Sequence, residues 1–326
     1  MDYTLPVGIV IGSGKYIIDR VIGIGGFGIT YAGHHRVLGT SVAIKELFIS
    51  GHSFRKNNSC AVYTQDIEPE KYQKLRNRFV EEAQTLTKLK HPHVVKVLDV
   101  FEDNNTEYIV MEYVQGETLQ QKIKRAGPIT FRDAVNYIAQ LCEAVEYIHS
   151  KHILHRDIKP DNVMITPEEL VVLIDFGSAR SFVHDEVQNH TTILTQGYAP
   201  IEQYSARTKK GNYTDIYALG AVFYFVLTGE KPLESTSRIC EKMKSPREIN
   251  TTIPEEVNRT IMKAMAINPE DRYQTIANFK KDLLGDVGKG GGNPNQTPLF
   301  CRICGKKLIP DANFCNRCGT KINRQI

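Results

Sequence analysis

The sequence predicts an α+β fold in which a half rich in antiparallel strands precedes a helical half. Between residues 16 and 46, β-branched and apolar residues are broken by glycines, which is typical of short strands joined by turns. Beyond residue 116, apolar residues instead recur at three- and four-residue steps, as in amphipathic helices. Strands first and helices later within one body favour α+β over an alternating α/β fold.

The composition is that of an ordinary globular protein. The chain has 326 residues, of which 41% are hydrophobic and 24% charged, and its formal net charge is +4. This length allows two domains and a large core, and the composition excludes disorder throughout. No apolar run reaches the ~18 residues of a membrane helix, and the start lacks a secretory pattern, so we expect a cytoplasmic protein without membrane attachment.

The elements of the first half can be placed from periodicity. Antiparallel strands are expected within residues 16–46, and further strands at 94–101 and 108–113. The polar residues between 51 and 74 look like a loop, and their role is open. A helix is expected where apolar residues recur on one face, at Leu75, Phe79, Ala83, Leu86 and Leu89.

Two long helices are expected in the second half. Residues 131–149 carry one apolar stripe, which indicates a helix with one buried face. Residues 215–228 are apolar nearly all round, so this helix should be buried on every side.

A glycine-rich pattern occurs early in the chain, at Gly23, Gly25 and Gly28. Taken alone it indicates either a turn between strands or a phosphate-binding loop. The dinucleotide-binding version of this pattern requires a helix directly afterwards, whereas strands are expected on both sides here, so a Rossmann site is disfavoured.

Two short motifs in the helical half are far more specific. The sequence His155-Arg-Asp-Ile-Lys-Pro-Asp-Asn162 precedes Asp175-Phe-Gly177 by thirteen residues, counted from Asn162. With the glycine-rich pattern they follow one another in the order found in protein kinases. The sequence resembles this family, and its prokaryotic members in particular, over residues 12–285. The resemblance implies a bilobal protein-kinase fold, with an antiparallel-sheet N-lobe and a helical C-lobe.

The resemblance implies that ATP binds between the lobes. Because glycines lack a Cβ, the backbone amides of the glycine-rich pattern could close over the phosphates. Lys45 would pair with the α- and β-phosphates. The expected ATP-binding residues are Gly23, Gly25, Gly28, Ala43, Lys45, the gatekeeper Met111, and the hinge residues Glu112 and Val114.

Lys45 needs an acidic partner to fix its long side chain, and the next helix offers Glu81 or Glu82. Glu82 lies three residues after Phe79 and four before Leu86, which places it on the inward face of that helix. We therefore choose Glu82.

The resemblance assigns the chemistry to the two motifs. Asp157 would accept the proton of the acceptor hydroxyl or orient it, and Lys159, which marks serine/threonine kinases, would stabilise the transferring group. Asn162 and Asp175 offer the hard oxygen ligands that Mg²⁺ prefers, and Mn²⁺ could take the same place. A protein substrate with a serine or threonine acceptor is implied.

The segment after Asp175 resembles a kinase activation segment. Glu202 would form a buried ion pair with Arg272 that anchors the segment. Arg156, before Asp157, is typical of kinases whose segment is ordered by phosphorylation. The expected residues of the segment are the candidate phosphosites Thr191 and Thr192, Thr195 near the catalytic residues, and Glu202 with its partner Arg272.

The C-terminal tail carries a second specific pattern. A Gly- and Pro-rich linker at residues 286–298 precedes two CxxC pairs, separated by ten residues, within residues 299–322. Two such pairs fit tetrahedral Zn²⁺, and four thiolates would leave no open position on the metal, so we expect a structural zinc ribbon. The expected zinc ligands are Cys301, Cys304, Cys315 and Cys318.

The sequence-based hypothesis is a serine/threonine protein kinase that binds a protein partner or substrate through the ribbon. The basic charge of the tail permits nucleic acid as a partner but does not require it, and we expect the ribbon to bind a protein partner or substrate. The alternative is a catalytically silent kinase-fold scaffold that brings partners together through the ribbon, which the intact catalytic residues disfavour. A small-molecule kinase is disfavoured by the segment from Thr195 to Glu202, which resembles a peptide-docking surface.

Overall fold

The computed structural model describes residues 3–56, 59–176, 196–205 and 207–285, together with residue 314. The first part is an N-terminal lobe built on a six-stranded antiparallel sheet, and the second is a largely helical C-terminal lobe. The predicted α+β organisation is confirmed. In the described part of the chain, no helix has the length and apolar character needed to cross a bilayer.

The elements are numbered in chain order. The strands are β1 Val10–Ile11, β2 Tyr16–Ile24, β3 Gly28–His35, β4 Ser41–Leu47, β5 Ser53–Arg55, β6 Val62–Thr64, β7 Val97–Asp103, β8 Thr106–Glu112, β9 Glu117–Thr118, β10 Val163–Ile165 and β11 Val171–Leu173. The helices are α1 Pro69–Leu86, α2 Leu119–Ala126, α3 Phe131–Ser150, α4 Asn212–Thr228, α5 Pro246–Ile249, α6 Glu255–Ala264 and α7 Ile276–Gly285.

The large sheet has the strand order β1-β2-β3-β4-β8-β7, with all neighbours antiparallel. Side chains alternate between the two faces of a strand. Along β4, Val42, Ile44 and Glu46 are buried, whereas Ala43 and Lys45 are only half-buried. The first three therefore face the back of the sheet, and the other two face the opposite side.

The segment from residue 51 to 74 is not the loop that its polar composition suggested. β5 and β6 form an antiparallel hairpin, and α1 already begins at Pro69. Phe54 stacks on Tyr63 across the hairpin, and Val62 joins the apolar cluster on the back of the sheet. Aromatic and β-branched residues at these few positions suffice to form strands. The loop prediction was wrong because polar neighbours mask them.

The C-terminal lobe is organised around α4. Every residue from 214 to 228 is buried, because α3, α5, α6 and α7 all contact this helix. The helix ends at Gly229, whose φ of +73° is a left-handed conformation that glycine adopts at low cost. The expected buried helix is confirmed, and it supplies a rigid base for the loops that precede β10.

Candidate active site

Three residues of the predicted catalytic motif lie in direct contact. The short 3-10 helix Pro160–Asn162 turns the Asn162 side chain back towards Asp157. Asn162 Nδ2 donates hydrogen bonds to Asp157 Oδ2 at 2.7 Å and to the Asp157 carbonyl oxygen at 2.8 Å. Lys159 Nζ lies 3.3 Å from Asp157 Oδ2. The Asp157 carboxylate is therefore held by an amide and an ammonium group while it stays 8% exposed.

The backbone just before Asp157 is fixed from α4. Asp215 accepts hydrogen bonds from the amides of His155, at 2.9 Å, and Arg156, at 2.8 Å. Arg156 has a φ of +64°, which is strained for a residue with a side chain and persists only where the surroundings impose it. The Asp215 contacts hold the N–H side of this residue.

Asp215 is fully buried, yet its charge is favoured. Burial alone would raise its pKa, but the hydrogen bond and charge of His149, whose Nε2 lies 2.8 Å away, together with the backbone amides, hold the pKa below its ordinary value. Burial lowers the pKa of His155. An ionised carboxylate thus lies beneath residues 155–162, the predicted catalytic loop, at neutral pH.

Lys45 contacts the second motif directly. Its ammonium group forms an ion pair with Asp175 Oδ1. Asp175 also has a positive φ, +58°, and its carbonyl oxygen lies 3.4 Å from Asn162 Nδ2. Residues from β4, from the catalytic loop and from the segment after β11 therefore meet at one place, although they are far apart in the sequence.

Glu82 lies on the inward side of α1, as its spacing suggested. It is half-buried, on the side of Phe79, Ala83 and Leu86, whereas Glu81 is exposed. An ion pair between Lys45 and Glu82 stays a prediction.

The glycine-rich loop is closed against the end of β4. The Gly25 amide donates to the Gly28 carbonyl oxygen at 2.8 Å, and Ser50 donates to the carbonyl oxygen of Gly26 at 2.9 Å. At Gly28, a Cβ would lie 2.7 Å from the carbonyl oxygen of Glu46, so no larger residue fits without a shift. Gly23 follows a bulge in the pairing of β2 with β3.

The expected adenine-binding residues lie along β4 and β8. Ala43 is opposite Met111 in the ladder between these strands, Glu112 ends β8, and Val114 follows it. All four are half-buried. Ala43 and Met111 therefore lie next to each other on the face of the sheet that carries Lys45, which is two residues further along β4.

The expected anchor of the activation segment is present. Arg272 Nη1 and Nη2 donate to Glu202 Oε1 and Oε2 at 2.8 and 3.0 Å, and both side chains are fully buried. The Thr214 hydroxyl also donates to Glu202 Oε1, at 2.9 Å. This bidentate pair joins the end of the segment to the C-terminal lobe.

Several predicted residues lie outside the described part of the chain. They are Thr191, Thr192, Thr195, Cys301, Cys304, Cys315 and Cys318. Among the residues that are described, no group of three or more His, Cys, Asp or Glu side chains is arranged to hold a metal ion.

The structure adds contacts that sequence reasoning missed. Gln203 donates from Nε2 to the Arg156 carbonyl oxygen at 2.7 Å. On the back of β4, the buried Glu46 pairs with Arg55 of the β5–β6 hairpin. Nothing local in the sequence marks either contact. Only the position of Gln203 next to Glu202, and of Glu46 next to Lys45, could have drawn attention to them.

Comparisons with known proteins show which family the chain is similar to. Residues 16–283 match the family described as the protein kinase domain. A protein of Clostridium perfringens named as a probable serine/threonine-protein kinase is 33% identical over 95% of this chain, and the serine/threonine-protein kinase PrkC of Bacillus subtilis is 34% identical over 83% of it. This chain covers 44% and 40% of the lengths of these relatives.

A solved structure is similar as well. The apo form of PpkA-294 superposes with a TM-score of 0.76 at 32% identity, and the match covers 86% of this chain and 100% of that one. The family match covers well over half of the chain, and the two halves of the fold and the converging motifs are those of this family. The chain therefore belongs to the protein kinase family.

Proposed function

We propose that this protein transfers the γ-phosphoryl group of ATP to serine or threonine hydroxyls of proteins. The observation that carries the proposal is that charged and polar side chains from distant segments meet at one place. These side chains are those of Lys45, Asp157, Lys159, Asn162 and Asp175. Phosphoryl transfer needs positioned groups and neutralised charge more than covalent catalysis, and these residues supply both.

Each side chain has a role that follows from its contacts. The Asp157 carboxylate, fixed by Asn162, would accept a hydrogen bond from the acceptor hydroxyl and take its proton as the new bond forms. Lys159, 3.3 Å from that carboxylate, would offset the charge of the transferring group. Lys45 would exchange part of its contact with Asp175 for the ATP phosphates.

The residues fit a magnesium ion. Asn162 turns its amide nitrogen towards Asp157, which leaves its amide oxygen for another partner, and the backbone of Asp175 lies next to it, with the Asp175 carbonyl oxygen 3.4 Å from Asn162 Nδ2. The Asp175 carboxylate would be the second ligand. These are the hard oxygen ligands that Mg²⁺ takes, and Mn²⁺ is accepted by the same ligands. The bound ion would neutralise charge on the ATP phosphates.

The test is phosphoryl transfer from γ-labelled ATP with magnesium to a mixture of peptides, proteins and small alcohols. The proposal expects label on protein serine or threonine, identified by acid hydrolysis and separation of the phosphoamino acids. Label on small alcohols alone would favour a small-molecule kinase. ATP binding without transfer to any substrate, with activating partners included, would contradict the proposal and favour the scaffold.

We also propose that the protein phosphorylates itself, at Thr191 or Thr192. The support is the sequence: both lie before Glu202, and Arg156 precedes the catalytic Asp157 as in kinases activated on this segment. Mass spectrometry of the wild type after incubation with ATP tests this, and phosphate found only elsewhere would contradict it.

For the tail we propose a structural zinc ribbon held by the four cysteines, serving to bind a protein partner or substrate. The support is the spacing of the two CxxC pairs. About 29 residues bury little apolar surface, so metal binding would provide most of the folding free energy of this part.

A further inference from the structure

The side chain of Gln203 links the end of the activation segment to the loop that carries Asp157. This residue lies in the 3-10 helix Ile201–Tyr204, directly after Glu202. Because Glu202 is fixed by its buried pair with Arg272, the backbone of Gln203 starts from a rigid anchor. Its own amide donates to the Pro200 carbonyl oxygen at 3.0 Å, which fixes the turn further.

The side-chain amide of Gln203 reaches the Arg156 carbonyl oxygen at 2.7 Å. A carbonyl oxygen can only accept, so the amide nitrogen faces it and the orientation of the amide follows from chemistry. The peptide group that carries this carbonyl continues directly into Asp157. A hydrogen bond to it therefore limits rotation of the peptide that leads into the catalytic aspartate.

Arg156 is a residue whose conformation needs support from outside. With φ at +64° its backbone is strained, and Asp215 holds only its N–H side. Gln203 holds the C=O side. The backbone N–H of Arg156 is thus held by Asp215 of α4, and its backbone C=O is held by Gln203 of the activation segment.

We propose that Gln203 is a positioning residue that couples the anchored end of the activation segment to Asp157 through the Arg156 carbonyl. This inference rests on the proposed function, since it assigns Gln203 a part in that reaction. Gln203 touches neither of the reacting groups, so its effect passes through the loop.

Loss of the Gln203 contact should lower kcat but leave the KM for ATP nearly unchanged. Displacement of Asp157 weakens an interaction made as the phosphoryl group transfers, whereas Lys45, Met111 and the hinge are left in place. Gln203→Glu has nearly the same shape, but its carboxylate cannot donate and repels the carbonyl oxygen. We expect kcat to fall about tenfold or more, the loss that corresponds to one hydrogen bond, with the KM for ATP changed less than about twofold.

The matched control is Gln274→Glu. Gln274 also donates from Nε2 to backbone carbonyl oxygens of the C-terminal lobe, of Pro269 at 2.8 Å and Arg272 at 3.0 Å, but it is exposed. It should retain wild-type kcat. Wild-type kcat in Gln203→Glu, or equal losses in both variants, would overturn the inference.

A second readout does not depend on activity. Hydrogen exchange in a peptide that begins at least three residues before His155 and ends at Ile158 reports the amides that Asp215 holds, and it should be faster in Gln203→Glu than in the wild type or the control. Unchanged exchange would overturn the inference even if kcat fell. If the wild type transferred no phosphate at all, the proposed function would fail, and the exchange rates would still decide whether Gln203 holds the loop.

Discussion

At the scale of single residues, the site depends on charges placed where water cannot reach. Glu202 and Arg272 have fully buried side chains, and each satisfies the other twice. Arg272 further donates to the carbonyl oxygens of Ala266 and Ile267. A buried pair adds little net stability over apolar residues, but loss of one partner leaves the other charged and unpaired.

Arg272→Met should therefore destabilise the protein strongly. It leaves the Glu202 carboxylate buried with the Thr214 hydroxyl as its remaining side-chain donor among the described residues, so we expect the free energy of unfolding to fall by about 3 kcal/mol or more. Urea denaturation of the purified variant measures this. The control is Arg247→Met, which breaks an exposed pair with Glu255 and should cost less than about 1 kcal/mol. Equal losses in both variants would contradict the account.

At the scale of elements, an ion pair joins the β5–β6 hairpin to β4, the strand that carries Lys45. Arg55 of the hairpin donates to Glu46 Oε1 at 2.5 Å, and Glu46 is completely buried. The hydroxyls of Tyr31 and Tyr108, from β3 and β8, donate to the same carboxylate at 2.9 and 2.5 Å. One carboxylate thus joins three strands of the sheet to the hairpin.

Removal of Arg55 should destabilise the protein in a pH-dependent way. Burial raises the pKa of Glu46 above its ordinary value of 4.5, while Arg55 and the two tyrosines oppose the rise. Arg55→Met removes an opposing charge, so the pKa rises further. A carboxyl with a higher pKa in the folded state favours folding at low pH, and this contribution is lost as pH rises through the folded pKa.

The stability difference between wild type and Arg55→Met should therefore grow as pH rises through the folded pKa of Glu46 in the wild type, which lies above 4.5, and reach about 3 kcal/mol at neutral pH. Urea denaturation at several pH values measures it. The double variant Glu46→Gln/Arg55→Met should recover most of the loss, because the amide carries no charge to bury. A loss that does not change with pH, or that persists in the double variant, would contradict the role of the pair.

Features with a local sequence pattern could be predicted from the sequence, whereas contacts between distant segments could not. The catalytic loop could be assigned because Asp157, Lys159 and Asn162 lie within six residues, in a motif that resembles that of protein kinases. The helix α4 could be assigned because burial on every side leaves an apolar run. The contacts of Gln203 and Arg55 could not, because each depends on a tertiary approach between segments, 47 residues apart for Gln203 and Arg156, without a local pattern.

At the scale of the whole molecule, the chain combines the kinase fold with a cysteine-bearing tail that lies outside the described residues. The body of the protein has a continuous core of its own that extends from α1 to α7. Its stability should therefore be independent of any metal bound by the tail.

The full-length protein should contain one zinc ion per chain, measured by atomic absorption after gel filtration. Because four thiolates hold the ion, the variant Cys301→Ser/Cys304→Ser should lose it, whereas Cys240→Ser, which changes an exposed cysteine of the body, should keep it. Chelation should leave the main unfolding transition unchanged. Zinc retained in the double variant, or lost in the control, would contradict the ribbon.

The role of Asp157 in phosphoryl transfer can be tested by comparing two aspartate variants. The rate of transfer from labelled ATP is measured for wild type, Asp157→Asn and Asp161→Asn, at equal folded concentration. Asp161 is an exposed aspartate of the same loop, so its variant makes the same chemical change four residues away. We expect the rate of transfer to fall by at least about a hundredfold in Asp157→Asn and to stay near the wild-type rate in Asp161→Asn. Equal activity of the two variants would contradict it.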